Sequence, residues 1–512
     1  MSDSAQNTNK RVIKNATMLT IRMVIVTIVG LYTSRIVFAQ LGDVNYGIYG
    51  VVGGILGFMG FLTSSMAGAS SRFITYEIGQ GNFERINEVF NSSFYIHCLI
   101  AVIVIIVGET FGIWFLYNVL SIPPDRLNAA FWVFQFSIIS SAISITQIPY
   151  TAVIMAHEKM GVYAYMEMVG TTLKLLIVYL LSISPFDKLI TYSFLLLVVS
   201  FIIAMFYRIY CIKKFDHCKI RRLKDKKTVK SMLSFSGMDL YGNIAVTLNN
   251  QGLTYAINIF FGVVYNAAVS LANTINGMIL ALTTNIAIAF KPQIVKQYAQ
   301  GNYDNMETIM CNSLRFTLLG IAMLAVPCAF EAEFVMKLWL GEVPRYSVEF
   351  LRIILILSFF PVINNVCNAA IHANGNIKKL TFINGTVFLL MPAIIFGIYA
   401  LGVNVMWGYV IEIIGMCIII SLALWILKEL IPQLSIKRIA STILKCGFTI
   451  VISAIPVYYL YSRLTIGFIQ AISVTTAYLL LLTSCAWWII LTKENHNMVK
   501  SRLYGLIQRF HK

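Results

Sequence analysis

The stretch GDVNYGIYGVVGGILGFMGFLTSSMAGASSRFITYEIGQGNFERINEVFNSS, residues 42–93, occurs twice in this chain. The second copy, residues 262–313, follows at an offset of 220 residues without a gap, and 13 of the 52 aligned positions are identical. Apolar helices share some residues by chance, because they draw on few residue types. The polar run Gln80-Gly81-Asn82, however, returns in register as Gln300-Gly301-Asn302. An internal repeat in an apolar chain is typical of a transporter built from two related halves.

The composition fits a chain that lies mostly in lipid. Hydrophobic residues make up 58% of the 512 residues and charged residues only 12%, too few charges to cover a soluble domain. Long apolar runs recur and predict an all-α polytopic membrane protein of about 14 transmembrane helices. The nine cysteines include no CxxC pair and indicate no metal site. The predicted spans are 16–40, 45–69, 89–117, 129–156, 162–184, 187–211, 231–260, 264–289, 307–330, 347–370, 379–401, 403–429, 441–462 and 466–491.

Lys and Arg residues are distributed unevenly between the two predicted sides of the membrane. One set of alternate loops, with both termini, holds 29 of the 39, and the other set holds five. Because positive charge marks cytoplasmic loops, both termini are predicted to be cytoplasmic and the two repeat copies to run parallel rather than inverted. The net charge of +17 therefore indicates topology and contact with anionic membrane lipids. It does not indicate nucleic acid as a partner.

The densest basic segment divides the chain. Residues 1–211 are predicted to form an N-terminal six-helix lobe, residues 212–230 a basic cytoplasmic linker, and residues 231–429 a second six-helix lobe. The two lobes are expected to be pseudo-symmetric, and residues 430–491 to add a C-terminal helix pair. The tail, residues 492–512, carries apolar and basic residues on opposite helical faces, which is typical of an amphipathic helix on the inner leaflet.

Catalytic signatures are absent from the sequence, which lacks HExxH, GxSxG and a Walker loop. We therefore expect neither an enzyme nor a catalytic residue. Several glycines of the second predicted span are spaced three and four residues apart, and they predict a smooth face for close helix packing or sliding. These glycines are Gly50, Gly53, Gly54, Gly57 and Gly60.

Basic side chains inside the predicted spans are the main candidates for function. Each costs about 2.5–3.5 kcal/mol at a helix centre, so it tends to face a partner or a wet cavity. We predict a cationic cavity between the halves that receives an anionic headgroup, since Arg binds a diphosphate bidentately. The candidate residues are Arg22, Arg35, Lys174, Arg315 and Arg352.

Simpler explanations exist for these cations. All except Lys174 lie near a span end, from which a long side chain can snorkel to the interface. Lys174 is too deep for that, and its alternative role is a structural ion pair with Glu167, seven residues earlier on the same helix face. Three acids inside spans are candidates for coupling transport to H+ or Na+, with no other cofactor expected. They are Glu109, Asp239 and Glu412.

An Arg-bearing first helix is followed by Leu41-Gly42-Asp43 and Tyr46-Gly47-Ile48-Tyr49. Ser71-Arg72-Phe73 then precedes the Gln80-Gly81-Asn82 turn. With two six-span bundles and a final helix pair, these features resemble the polysaccharide-export branch of the multidrug/oligosaccharidyl-lipid/polysaccharide (MOP) superfamily. The resemblance covers nearly the whole chain and is strongest over residues 10–95.

The resemblance implies a Wzx-type flippase. Such a protein moves undecaprenyl-diphosphate-linked oligosaccharide across the bacterial inner membrane for O-antigen or capsule biosynthesis, by alternating access between two lobes. The implied partners are the lipid-linked oligosaccharide, membrane lipids, polysaccharide polymerase and glycosyltransferases. Of the family's site, only the idea of a central cationic cavity transfers to this sequence.

Two alternatives remain open from the sequence. A MATE-like, ion-coupled multidrug exporter of the same superfamily would carry cationic drugs, and its cavity should be lined by carboxylates. An integral-membrane polymerase or glycosyltransferase would need a large outer loop, whereas the longest predicted outer loop, residues 331–347, has about 17 residues.

Overall fold

The computed structural model describes the backbone of residues 2–57, 60–81, 83–157, 159–221 and 226–490. Side chains are described over the same ranges except at residues 2–24, 55–57, 60–65, 79, 83, 160, 226, 235–239, 285, 288 and 289. The predicted amphipathic tail, residues 492–512, and the side chains of Arg22 and Asp239 therefore lie outside the described residues.

The described part of the chain is almost entirely helical, which confirms the all-α prediction. Seventeen α-helices follow one another, interrupted by one π-helical turn, Gly108–Gly112, and by two short 3-10 turns, Pro124–Arg126 and Asp216–Cys218. The helices are α1 Ser2–Gly57, α2 Gly60–Gln80, α3 Phe83–Val107, α4 Ile113–Asn118, α5 Leu127–Ala156, α6 Met160–Ile183, α7 Lys188–Lys214, α8 Lys226–Phe261, α9 Val263–Ala299, α10 Tyr303–Phe330, α11 Ala332–Leu340, α12 Ser347–Leu357, α13 Phe359–Asn374, α14 Lys378–Ala400, α15 Met406–Leu430, α16 Ile436–Arg463 and α17 Phe468–Ile489.

Among the described residues, 12 helical segments are long and apolar enough to cross a membrane. The predicted span over 45–69 corresponds to the end of α1 together with α2, and the predicted span over 231–260 corresponds to α8. Neither α2 nor α8 is among the 12 segments. The polar residues Asn243, Asn249, Asn250 and Gln251 lower the hydropathy of α8, so length and composition alone do not mark it as a span.

The two copies of the repeat break their helices at matching glycines. Gly42 kinks α1 with φ 71°, and Gly262, with φ 91°, separates α8 from α9. Gly81, with φ 72°, follows α2, and Gly301, with φ 69°, separates α9 from α10. Residues with a side chain rarely adopt such left-handed backbone. The repeat therefore encodes where each half bends as well as its apolar pattern.

The described contacts divide the chain into two compact units. Unit 1 comprises Met1–Ser270 and Phe388–Val405, and unit 2 comprises Leu271–Val387 and Met406–Lys512. Both α9 and α14 thus contribute to each unit. The lobe boundaries given above remain a prediction.

One repeat position anchors a connecting segment in each unit. In unit 1, Asn87 Nδ2 donates to the carbonyl oxygens of His217 (2.7 Å) and Lys219 (2.9 Å), just after α7. In unit 2, the matching residue, Glu307, accepts from the backbone N–H of Ser435 at 2.6 Å and from Arg438 Nη1 at 3.2 Å, where α16 begins. The same repeat position thus binds the segment that follows the sixth predicted span of each lobe.

Arg438→Ala is expected to destabilise the protein by about 2 kcal/mol. Removing one partner of a fully buried ion pair costs about 3–5 kcal/mol; here the Glu307 side chain is 6% exposed but that of Arg438 is 47% exposed, so solvent screening reduces the cost. The variant leaves a buried carboxylate with the Ser435 N–H. The thermal unfolding midpoint of the purified protein measures the loss.

The double variant Arg438→Ala, Glu307→Gln provides the control for this prediction. Glutamine removes the buried charge and keeps an oxygen that accepts from Ser435, so the double variant should recover part of the lost midpoint. A double variant no more stable than Arg438→Ala alone would show that charge burial does not set the cost.

A second polar cluster braces the kink of α1 at the other end of unit 1. Arg126 Nη1 and Nη2 bind the two carboxylate oxygens of Asp187 at 2.7 and 3.2 Å, and its Nε donates to Asn45 Oδ1 at 2.9 Å. Asp187 also caps α7 by accepting from the N–H groups of Leu189 and Ile190. Burial alone would raise the pKa of Asp187, but the hydrogen bonds from Arg126 and the backbone, with the charge of Arg126, outweigh it and hold the pKa below its ordinary value.

Candidate functional site

A cavity of about 540 Å³ lies within unit 1. Its walls come mainly from α5, α6 and α7. One residue of α1 and two residues of α2 also line it. The lining is mixed, with apolar side chains between hydroxyl, amide and charged groups. The polar residues that α5 and α6 contribute to it include Ser144, Gln147, Thr151, Glu167, Thr171 and Lys174.

Helical spacing explains why these polar groups meet. On α6, Glu167, Thr171 and Lys174 are separated by four and three residues, so they share one face. On α5, Ser144 and Thr151 are seven residues apart and lie on one face in the same way. Since α5, α6 and α7 pack against one another, two polar stripes face the same space inside an otherwise apolar bundle.

Among the described residues that line this cavity, Lys174 and Glu167 carry the charges. Lys174 lies near the middle of the membrane-spanning segment Gly161–Ile183, and seven residues of helix separate the two by about 10 Å of rise. Both side chains are exposed to the cavity or the surface. No ion pair joins them in the described structure, so the structural pairing considered for Lys174 is not observed. The ammonium and the carboxylate lie at different levels and can bind different parts of one ligand.

Of the other predicted cations, Arg35, Arg315 and Arg352 do not line this cavity, and the side chain of Arg22 lies outside the described residues. Arg35 is exposed on α1, and Arg315 is buried in α10, where its Nη1 donates to Asn312 Oδ1 at 2.7 Å. Membership of a common cationic cavity therefore stays a prediction for Arg35 and Arg315, as it does for Arg22.

Arg352 lines a second cavity, of about 560 Å³, within unit 2. It is exposed, and its Nε donates to the carbonyl oxygen of Ala329 at 3.1 Å. Glu333 and the aromatic side chains of Tyr458 and Tyr461 share the cavity. Part of its wall thus comes from α16, a helix of the C-terminal pair. Its role in substrate binding remains a prediction.

Of the two acids predicted to couple transport to an ion whose side chains are described, Glu412 and Glu109, only Glu412 is buried. It is 6% exposed in α15, and an ionised carboxylate at such a place needs a cation or a proton. Glu109 is exposed in the π-helical turn Gly108–Gly112 and accepts from Gln135 Nε2 at 3.1 Å. Their roles in coupling stay predictions. The described residues contain no group of three or more His, Cys, Asp or Glu side chains that would hold a metal ion.

The glycine face of α1 packs as predicted at some positions only. A Cβ on Gly50 would lie 2.8 Å from Ser270 Oγ, and one on Gly54 would lie 2.9 Å from Gln251 Oε1. Gly53 instead faces open space. The packing of the other two predicted glycines, Gly57 and Gly60, lies outside the described residues.

The closest approach is at a glycine that the sequence argument did not select. A Cβ on Gly47 would lie 2.0 Å from the carbonyl oxygen of Val263, in the first turn of α9. Two sequence signals pointed to it: its place five residues after the kink glycine Gly42, in register with the other small residues of α1, and its occurrence in the segment Tyr46-Gly47-Ile48-Tyr49 quoted above.

Comparisons with known proteins agree with this architecture. The family model MatE matches residues 19–180 and again residues 241–396, together more than half of the chain. The two matches begin at residues 19 and 241, a spacing close to the offset of 220 residues between the two copies of the internal repeat. No curated protein matches the sequence significantly.

Three solved structures illustrate the similarity in fold. An inward-facing multidrug resistance MATE family transporter of the MOP superfamily has a TM-score of 0.70 at 12% identity, covering 81% of this chain and 98% of its own. The lipid II flippase MurJ, in an inward closed conformation, has a TM-score of 0.69 at 15% identity, covering 91% of this chain and 97% of its own. The third structure is a MOP superfamily transporter from Pyrococcus furiosus Vc1 (DSM3638), described as having a binding pocket of reversed polarity. Its TM-score is 0.61 at 13% identity, and the match covers 81% of this chain and 96% of that transporter.

The doubled family match and the helical repeat point to one class of protein. The match extends over both copies of the repeat, and the described helices include 12 segments suited to crossing a membrane. The chain belongs to the MatE family, and its fold is similar to that of solved transporters of the MOP superfamily.

Proposed function

We propose that this transporter is a lipid-linked oligosaccharide flippase. Its substrate would be an undecaprenyl-diphosphate-linked glycan, moved from the inner to the outer leaflet of the bacterial inner membrane for polysaccharide biosynthesis. Both termini would be cytoplasmic, as the distribution of Lys and Arg indicates. Transport would proceed by alternating access, with H+ or Na+ as the coupling ion.

The observation that carries this proposal is Lys174, a cation at mid-span on the wall of a polar cavity. An ammonium at that depth costs about 2.5–3.5 kcal/mol, and a visiting anion offsets the cost while a cationic drug adds to it. A diphosphate supplies the anion. The hydroxyl and amide groups of Ser144, Gln147 and Thr151 supply hydrogen bonds for the remainder of a polar headgroup.

The extent of the structural matches also supports a flippase. The multidrug transporter covers 81% of this chain and the lipid II flippase covers 91%. The difference, about one tenth of the chain, is the size of the pair α16 and α17. A lipid substrate presents a long apolar tail beside its headgroup, and two further apolar helices add surface for such a tail.

A MATE-like, ion-coupled multidrug exporter is the second candidate. One observation favours it: Glu167 brings a carboxylate to the same cavity, and a carboxylate attracts a cationic drug. The lipid II flippase and the multidrug transporter have almost equal TM-scores with this chain, so similarity of fold does not separate the two functions.

Reconstitution in liposomes tests the proposal. Purified protein is placed in vesicles with an undecaprenyl-diphosphate-linked oligosaccharide, and an added glycosidase reports how much glycan reaches the outer leaflet. In parallel, vesicles loaded with ethidium report transport of a cationic drug. We expect glycan exposure above protein-free vesicles and no ethidium transport. Ethidium transport without glycan exposure would reverse the ranking.

A further inference from the structure

The cavity of unit 2, of about 560 Å³, holds two charged side chains in a mainly apolar wall. Its lining comes from α10, α12 and α16, with Glu333 of α11 and Phe359 of α13. Nine of the described lining residues are aliphatic or aromatic, and the other two, Arg352 and Glu333, are charged. This Arg352 pocket shares no described lining residue with the cavity that contains Lys174. A ligand that matches its whole wall is amphiphilic.

Two helices supply the aromatic wall of the Arg352 pocket. The ring of Phe330, at the end of α10, lies 6.4 Å from that of Tyr458 and 6.1 Å from that of Tyr461, measured between centroids. Tyr458 and Tyr461 are three residues apart on α16 and so share one face. The lining residues Ala325 of α10 and Leu355 of α12 are buried, so part of the wall belongs to the packed core of unit 2. Packed helices therefore shape the pocket.

The guanidinium of Arg352 is oriented by a backbone group of the pocket wall. Its Nε donates to the carbonyl oxygen of Ala329 at 3.1 Å, which joins α12 to α10. Its Nη1 and Nη2 form no hydrogen bond with the residues that the structure describes, so both are available to a ligand. A guanidinium that presents two N–H groups side by side binds two oxygens of a phosphate.

Glu333 places a negative charge in the same pocket. Its side chain and that of Arg352 are both exposed, and no ion pair joins them within the part of the chain that the structure describes. The two charges are thus compensated separately. A ligand with one anionic and one cationic group matches both charges, whereas a purely anionic ligand is repelled by Glu333 and a purely cationic ligand by Arg352.

The aromatic side chains favour the cationic end of such a ligand. The faces of Tyr and Phe rings attract ammonium groups, and Tyr458, Tyr461 and Phe359 line the pocket. A primary ammonium also donates hydrogen bonds to a carboxylate such as that of Glu333, which a quaternary ammonium cannot do. The polar groups of the pocket therefore fit a headgroup that carries both a phosphate and a primary ammonium.

The pocket lies at the level of one membrane surface. Phe330 is the last residue of α10, Tyr461 is close to the end of α16, and Arg352 is close to the start of α12. All three helices belong to segments suited to crossing a membrane, and these positions lie at the same face, the one predicted to be outer. Tyr458 is 63% exposed, and tyrosine is enriched where headgroups meet acyl chains. A phospholipid therefore reaches the pocket from the bilayer.

We propose that the Arg352 pocket binds a phospholipid whose headgroup carries a phosphate and a primary ammonium, as that of phosphatidylethanolamine does. Arg352 binds the phosphate, Glu333 binds the ammonium, and the apolar wall contacts the first part of an acyl chain. The bound lipid fills the space between α16, the first helix of the C-terminal pair, and the helices α10 and α12. This site does not depend on which substrate the transporter moves.

Lipid titration of the full-length protein in detergent tests the proposal. The probes are phosphatidylethanolamine, phosphatidylcholine and phosphatidylglycerol with identical acyl chains, and undecaprenyl diphosphate. Native mass spectrometry measures the bound lipid, and the thermal unfolding midpoint is read with and without each probe. We expect phosphatidylethanolamine to bind most tightly and to raise the midpoint most. Equal or tighter binding of any other probe overturns the proposal, and undecaprenyl diphosphate in that place would assign the pocket to the transported lipid.

Two single variants locate the binding at the Arg352 pocket. Arg352→Gln is expected to weaken binding of phosphatidylethanolamine about tenfold, because a hydrogen bond between charged groups is lost. Glu333→Gln should weaken it by a similar factor and should strengthen binding of phosphatidylglycerol, since the repelling carboxylate is gone. Such an exchange of preference cannot result from unfolding. Unchanged lipid preference in either variant overturns the proposal.

A matched control removes the same two charges from outside the pocket. Glu342 and Arg345 are exposed between α11 and α12, at the same predicted face of the membrane. The variant Glu342→Gln, Arg345→Gln should bind all four probes as the unmodified protein does. If it lost phosphatidylethanolamine as the pocket variants do, general surface charge rather than the Arg352 pocket would determine the binding.

Discussion

Gly47→Ala is expected to lower the thermal unfolding midpoint of the protein by several degrees and to reduce transport. The new Cβ would lie 2.0 Å from the carbonyl oxygen of Val263 and 2.9 Å from its carbonyl carbon. These are backbone atoms, which cannot rotate away as a flexible side chain can, so the second half of α1 must move away from the first turn of α9. Overpacking of this kind costs about 1–3 kcal/mol and sometimes more, and we expect the upper end.

Gly53→Ala is the matched control on the same helix. A Cβ at Gly53 meets no atom within 4 Å, and alanine is favoured over glycine in a helix interior by about 0.5–1 kcal/mol. The control should therefore leave the midpoint unchanged or raise it slightly. If the two variants behaved alike, the close approach of Gly47 to Val263 would not support the packing of unit 1.

We expect Gly47→Ala to reduce transport because of the two segments that the contact between Gly47 and Val263 joins. Val263 follows Gly262, the left-handed residue that ends α8, and Gly47 follows the kink of α1 at Gly42. The contact therefore fixes the second copy of the repeat, at its start, to the first copy near its own start. A shift there displaces both kinked segments at once, and midpoint and transport rate should fall together.

The repeat allowed more of the fold to be predicted than composition alone. In the structure, matching sequences adopt matching bends: Gly42 and Gly262, like Gly81 and Gly301, share left-handed backbone. The local sequence is enough to locate such a bend, because a residue with left-handed backbone between two helices is usually glycine. The anchoring role shared by Asn87 and Glu307 was not predictable, since the two residues differ in type and their partners lie about 130 residues away.

The candidate site was predictable in part, for a similar reason. The face shared by Glu167 and Lys174 follows from helical periodicity, and both line one cavity. Which helix would face them does not follow from local sequence, and neither does the absence of an ion pair between them in the described structure. Arg315 and Lys174 were both candidates for the predicted cavity, and the structure buries Arg315 beside Asn312, whereas Lys174 lines the cavity of unit 1. Burial of a given charge is decided by the rotation of its helix, which a single sequence does not specify.

Lys174→Gln is expected to reduce transport of the lipid-linked glycan by about tenfold to a hundredfold. A hydrogen bond to a charged group contributes about 1.5–3 kcal/mol, and each 1.4 kcal/mol changes affinity tenfold. Glutamine keeps the length and polarity of the side chain but removes the charge that a diphosphate would meet. The liposome assay with added glycosidase measures the loss, and Lys174→Arg, which retains the charge, should keep most of the activity.

Two further comparisons separate a role in the cavity from a role in folding. Lys337→Gln removes one exposed cation from the short helix α11 and should transport normally, so that loss of net charge alone is excluded. Lys174→Gln should retain the thermal midpoint of the unmodified protein, because Lys174 forms no ion pair with Glu167 in the described structure and its loss leaves no paired carboxylate behind.

If Lys174→Gln exports glycan at the normal rate, the cavity of unit 1 does not receive the diphosphate. If the same variant instead gains transport of ethidium while losing glycan, the charge of Lys174 selects between anionic lipids and cationic drugs, because Glu167 then remains as the charged group of that cavity wall.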